Sequence, residues 1–219
     1  MTKENNKPAD ILKFLLRIGL HSYEFLKIPQ IYIPFVKIYT AMPINSLAVF
    51  CGSKNGNNPL FKEHTIQLGK LLAKHSVTLI YGGGNVGIMG HIADTVMEHG
   101  GKVTGVIPQV LVAWERQHDG ISELFIVDDM HVRKKKMYEL CDAAIILPGG
   151  FGTLDELFEM VTWNQLSIHD KLIFILNSGG FYEHLIAHIN RMQEENFLYE
   201  AARKRIVILD SPAELIPHL

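Results

Sequence analysis

The sequence predicts an α/β fold, a doubly wound parallel sheet with helices on both faces, preceded by an N-terminal helical extension. Three observations carry that expectation. Beyond Ser46, short β-rich runs alternate with segments of helical pattern, as parallel strands joined by crossover helices require. Glycine-rich stretches follow several of the strand runs, at the rim where open sheets of this kind bind ligands. A chain of 219 residues, 47% hydrophobic and 20% charged, also suffices for one well-buried domain with an appendage. The expected division sets an extension, 1–45, before a single domain, 46–219.

Within the extension, Ile11 to Ile28 is rich in Leu, Ile and Phe. Lys13, Arg17, Glu24 and Lys27 interrupt it well short of the roughly 20 apolar residues that a spanning helix needs. No small-residue cleavage site follows, so a signal peptide is not expected. Lys13, Arg17 and Glu24 stand four and seven apart, which leaves a wide apolar face on a helix. The expected cover for that face is the body of the protein or a second subunit; a membrane surface and a loose arm are the less favoured alternatives. Pro29, Pro34 and Pro43 then punctuate the link to the domain.

In the domain, strands are expected at Leu47–Cys51, Val77–Tyr81, Lys102–Ile107, Leu124–Val127, Ala143–Leu147, Leu172–Leu176 and Ile206–Leu209. Helices are expected between them, at Pro59–Lys74, Gly87–His99, His131–Leu140, Thr153–Leu166, Phe181–Asn196 and Pro212–Ile216. The strand ends carry Cys51-Gly52-Ser53, Gly82-Gly83-Gly84, Pro148-Gly149-Gly150 and Asn177-Ser178-Gly179-Gly180. So many glycine loops on one rim describe a binding site.

Composition narrows the function. A net charge of −2 gives no electrostatic case for nucleic acid or an anionic membrane as the main partner. Two cysteines, Cys51 and Cys141, form neither a metal-type pair nor a disulfide framework, which points to a reduced, cytoplasmic setting. His184 and His188 are four apart on a helix but have no evident third ligand, so no metal is expected. No Gly-Lys-Ser/Thr phosphate loop and no Gly-x-Ser-x-Gly elbow occur.

Three segments carry chemistry. Gly82-x-Gly84-x-x-Gly87 follows a strand and opens a helix, as in a dinucleotide site. The next strand, however, ends in Ile107-Pro108 with no acid for ribose hydroxyls. NAD is therefore disfavoured, and a tight structural turn or a loop against a nucleotide monophosphate or sugar remains. In Asp128 to Lys136, Arg133 has the fork geometry for phosphate or carboxylate, and Lys134 points about 100° away around the helix. A solvated basic face is the plain alternative, opposed by the segment's place on the glycine rim. In Leu147 to Met160, Gly149, Gly150 and Gly152 offer backbone donors, and Thr153 is expected to cap the helix while meeting a phosphate oxygen. Asp155 and Glu159 share a helix face, with Glu156 turned about 100° from Asp155. These acids suit either the helix dipole or carboxylate work beside a bound ribose phosphate.

Taken together, YGGGNVGIMG, MHVRKKKM and PGGFGTLDELFE followed by TWNQLSIHDK resemble the LONELY GUY family of cytokinin-activating nucleoside 5′-monophosphate phosphoribohydrolases. The match runs from about Ser46 to Asn196. The resemblance implies a Rossmann-like nucleotide-binding domain and a homodimer with sites near the subunit interface. It implies hydrolysis of the N-glycosidic bond of adenine-type nucleotides to free base and ribose 5-phosphate, without a cofactor. It makes Arg133 and Glu156 the catalytic pair. It makes Ser53, Glu115, Lys134, Gly149, Gly150, Phe151, Gly152, Thr153, Leu154, Asp155 and Thr162 the substrate contacts, and Gly83, from the glycine loop after the second strand of the domain, is expected to join them. The family's older label, lysine decarboxylase, finds no identifiable cofactor-binding lysine here. The chain departs from the family in its extension of about 45 residues, and in Phe151 and Asp155, where Tyr and Glu are frequent. A non-catalytic nucleotide-sensing or cofactor-carrier module on the same fold is the alternative.

Overall fold

Parallel strands sandwiched between helix layers are apolar on both faces, and the central strands here obey that rule throughout. The computed structural model describes residues 24–28, 31–35, 43–112 and 117–219. Residues 43–219 form one compact unit and 1–42 another. In the first, β1 (Glu24–Ile28) pairs antiparallel with β2 (Ile31–Phe35). The helix expected through Ile28 therefore gives way to a strand over its last five residues, and the earlier part of that expectation lies outside the described residues. Phe25 and Ile28, then Ile31, Tyr32 and Ile33, are strand-forming residue types.

The larger unit is built from β3 (Ser46–Phe50), α1 (Pro59–Lys74), β4 (Thr78–Tyr81), α2 (Gly87–Glu98) and β5 (Val103–Pro108). It continues with β6 (Glu123–Val127), α3 (Met130–Leu140), β7 (Ala143–Ile146) and α4 (Phe151–Gln165). It closes with β8 (Ile173–Leu176), α5 (Glu183–Glu194), the short α6 (Glu200–Arg203) and β9 (Ile206–Leu209). The segment expected as a final α-helix is a 3₁₀ helix, Pro212–His218, with Pro217 inside it lacking the amide an α-helical bond needs.

All seven strands pair in parallel, in the order β6-β5-β4-β3-β7-β8-β9. From β3 the chain winds outward first through β4 to β6, then returns to place β7 on the other side. The crevice between β3 and β7 is thus the switch point at which such sheets bind ligands. Side chains alternate between the two helix layers. Leu47, Val49, Ile145, Phe174 and Leu176 join the core beneath α1 and α2, with Leu68, Leu72, Ile92 and Val96. Ala48, Phe50, Ala144, Ile146, Ile173 and Ile175 join the core beneath α3 and α4, with Met137, Leu157 and Met160. At the opposite end of the sheet, the Asp142 carboxylate accepts from the Asn45 and Ser46 amides at 2.8 and 3.0 Å and ties β3 to β7.

Candidate active site

The loops after β3 and β7 meet at the switch point, where the Gly52 amide donates to the Pro148 carbonyl at 3.1 Å. Gly149 makes this approach possible. A Cβ there would lie 2.1 Å from the Thr153 hydroxyl and 2.9 Å from the Gly52 amide nitrogen. The loop then turns into α4 two residues before the expected start, with Gly150 as N-cap and no side-chain cap. Thr153 therefore lies inside the first turn and does not cap the helix. Glycine at the cap and after Phe151 lets the backbone adopt the turn without a capping side chain, and the leading amides remain available to a ligand.

Arg133 comes from α3. Asp129 caps that helix by accepting from the His131 and Val132 amides, each at 2.8 Å, and so fixes where Arg133 stands one turn later. Arg133 as a whole is 5% exposed. Its Nε donates to the Val106 carbonyl and its Nη2 to the Gly82 carbonyl, both at 3.0 Å. Gly82 admits it: a Cβ there would sit 2.0 Å from Nη2.

These elements enclose a cavity of about 310 Å³, within the roughly 300–1,000 Å³ of small-molecule sites. Arg133, Asp155 and Glu156 face it together, beside Ser53, Gly150, Phe151, Gly152 and Thr153. Met89, Leu111 and Met130 add an apolar wall. Phe151 stands at the rim, 91% exposed. A second hollow of about 430 Å³ lies across the Gly52–Ser53 loop, against Gly149, Phe61, Ile88 and Phe181.

Five of the expected contacts lie away from the cavity wall, among them Gly149, which lines the second hollow. Leu154 packs into the core beneath α3 and α4. Gly83 turns toward β5 and β6, and its carbonyl accepts from the His118 amide at 3.0 Å. The Thr162 hydroxyl donates to the Phe158 carbonyl of its own helix at 2.6 Å. The Lys134 ammonium is held by Asp155 at 3.2 Å and Glu159 at 2.9 Å, behind the cavity. Glu115 lies outside the described residues.

Burial works to lower the Lys134 pKa, but its hydrogen bonds to Glu159 and Asp155 outweigh that and hold it above the ordinary lysine value. The Tyr138 phenol, buried and donating to the same Glu159 Oε2 at 2.6 Å, is pushed well above its ordinary range. The cavity wall also includes Gly82, Met89, Leu111 and Met130, which are not among the contacts the family resemblance implies. Only Gly82 had a signal, as the first glycine of its spaced run. Glu159 meets Lys134 and Tyr138 from the neighbouring helix, a pairing no local spacing displays.

A pyridoxal cofactor does not fit this donor set. Such chemistry needs a lysine at the cavity that loses its proton readily. Among the described residues lining the cavity there is none, and the lysine behind it is held as an ammonium. The described residues hold no group of three or more His, Cys, Asp or Glu side chains able to bind a metal ion. No helix among them is long and apolar enough to cross a membrane.

A family model described as possible lysine decarboxylase matches residues 89–219. A cytokinin riboside 5′-monophosphate phosphoribohydrolase of Arabidopsis thaliana is 44% identical over 173 residues, covering 79% of this chain and 81% of that protein. A probable enzyme of the same name from Oryza sativa is 42% identical over 177 residues, covering 81% and 77%. Among solved structures, the molybdenum cofactor binding protein of Rippkaea orientalis superposes with a TM-score of 0.61 at 23% identity, covering 80% of this chain and 95% of that one. At that identity the likeness establishes the shared fold and nothing about cargo. The extent of the sequence matches places the chain in the LONELY GUY family, to which it belongs.

Proposed function

We propose that the protein hydrolyses the N-glycosidic bond of adenine-type nucleoside 5′-monophosphates, a reading supported by relatives named as cytokinin riboside 5′-monophosphate phosphoribohydrolases. The observation that carries this reading is the convergence, in one cavity, of an uncapped helix N-terminus with Arg133 and Glu156. The α4 amides and the Thr153 hydroxyl hold the 5′-phosphate. Binding energy from that remote group positions the ribose. Met89, Leu111 and Met130 offer the apolar surface a purine needs.

Breaking the C1′–N9 bond gives the ribose oxocarbenium character, as in glycoside hydrolysis. Glu156 stabilises that charge and orients the water, which adds its hydroxyl to C1′ while the departing base takes up the proton. Arg133 keeps its own proton and acts by charge and position. Ser53 flanks the phosphate, and Asp155 meets the ribose hydroxyls. Phe151, Phe158, Thr162 and Leu166 share one line along α4, and its three apolar members are exposed. A second copy of the chain covers this face in a homodimer, with Phe151 at the seam beside the site. Residues 1–45 stand outside the catalytic domain, and the reaction takes place in the cytoplasm.

The test is release of free base, followed by chromatography, from AMP, its N6-isopentenyl derivative and the matching nucleosides. Release from the monophosphates alone supports the reading. Tight binding of every monophosphate without release from any supports a sensing module instead.

A further inference from the structure

We propose that Lys134, Glu159 and Tyr138 form a buried positioning network for the Asp155 carboxylate, so that Lys134 acts on substrate through Asp155 instead of touching it. The proposal rests on the functional reading above, in which Asp155 meets the ribose. Asp155 lines the cavity and Lys134 does not. The Lys134 side chain is 10% exposed, and its ammonium spans Asp155 Oδ2 at 3.2 Å and Glu159 Oε2 at 2.9 Å. The Tyr138 hydroxyl donates to that same Oε2 at 2.6 Å. The Tyr138 ring is itself wedged edge-on against Phe50 and Trp163. A rigid aromatic thus orients Glu159, Glu159 orients the ammonium, and the ammonium pins a carboxylate that is otherwise 61% exposed.

The charges explain why the lysine is needed. Two carboxylates and one ammonium sum to −1 beside the place where the ribose becomes cationic. Without the ammonium, Asp155 and Glu159 repel each other, and Asp155 swings away into solvent. A surface carboxylate left to itself loses side-chain freedom on meeting substrate. One already held in place does not.

The experiment is a pair of double-mutant cycles, with Lys134→Met and Tyr138→Phe each made in the natural and the Asp155→Asn backgrounds. The readouts are kcat/KM for AMP, the AMP dissociation constant by calorimetry, and the thermal midpoint. Lys134→Met is expected to lower kcat/KM about tenfold or more in the natural background, and less than about twofold with Asp155→Asn. Its effect on the thermal midpoint is expected to be the larger in the natural background, where Asp155 and Glu159 are left facing each other. Tyr138→Phe keeps the ring packing and is expected to show the same pattern at about threefold. Should Lys134→Met fail to fold, the Tyr138→Phe cycle decides alone. Equal losses in both backgrounds overturn the network, as does an altered midpoint with unchanged kcat/KM. If the natural protein releases no base at all, the hydrolase reading falls, and the network is decided by the AMP dissociation constants through the same cycles.

Discussion

Replacing Gly82 with alanine alters the proposed catalytic centre without touching either member of the catalytic pair. The backbone at Gly82 is not in the left-handed region, so alanine is tolerated conformationally. The new Cβ would stand 2.0 Å from Arg133 Nη2, and an ordinary contact begins at 3.4 Å, so the guanidinium must retreat by about 1.4 Å. That retreat breaks the 3.0 Å bond from Nη2 to the Gly82 carbonyl. A hydrogen bond to a charged group contributes about 1.5–3 kcal/mol, and a misplacement of about 1 Å at a reacting centre costs about 10²-fold in rate. We therefore expect kcat/KM for AMP to fall about 10²-fold in steady-state base-release assays. Stability should fall by only about 1–3 kcal/mol, the usual cost of one added methyl in a packed site. In an Arg133→Ala background the clashing atoms are gone, and Gly82→Ala should cost little further activity. Gly82→Ala activity within about threefold of the natural protein, or an undiminished loss in the Arg133→Ala background, would refute the reasoning.

Other consequences can be measured as directly. Glu156→Gln should lower kcat at least about 10²-fold while AMP still binds, because the lost charge matters most when the ribose becomes cationic; a KM defect with normal kcat would reassign the residue to binding. Cys51 lines the cavity, whereas the buried Cys141 thiol is pushed up to about 11. Alkylation should therefore reach Cys51 first and slow in the presence of AMP, and protection absent at saturating AMP would place the nucleotide elsewhere. Burial lowers the His64 pKa below 6.5, and its Nδ1 lies 2.8 Å from the Ser178 hydroxyl. The folded state then binds this proton less readily than the unfolded chain, so its stability contribution is present above pH 6.5 and drains away below it. The thermal midpoint should fall as pH drops below 6.5, and His64→Gln should flatten that slope. Phe158→Lys should split the proposed dimer in sedimentation experiments, and an unchanged sedimentation coefficient would place the interface elsewhere.

The sheet was legible because its central strands are buried on both faces and so read as uninterrupted apolar runs: Ala143 to Ile146 and Ile173 to Leu176 are buried throughout. Strand and helix ends shifted by a residue or two, since fraying and local capping decide them. The β1–β2 pair was hidden because Glu24 to Ile28 also suits the end of a helix, and only its pairing with Ile31–Phe35 shows it to be a strand. At the site, residues named by glycine spacing or by the loop itself, Arg133, Gly150 to Thr153 and Glu156, converge on the cavity. What stayed hidden depends on partners distant in sequence. Thr153 looks like a cap, but Gly150 takes that place and the helix begins at Phe151. Lys134 looks like a ligand contact until Glu159 comes to meet it from α4, with Tyr138 of Lys134's own helix donating to the same carboxylate.

The central claim is that the bond cut is the one between ribose and base. Its most direct test is a full product balance from AMP, separating adenine, ribose 5-phosphate, adenosine and inorganic phosphate over one time course. The account predicts adenine and ribose 5-phosphate in equal amounts, with both lost in Glu156→Gln. Adenosine with inorganic phosphate would contradict it, as would AMP bound tightly and recovered intact.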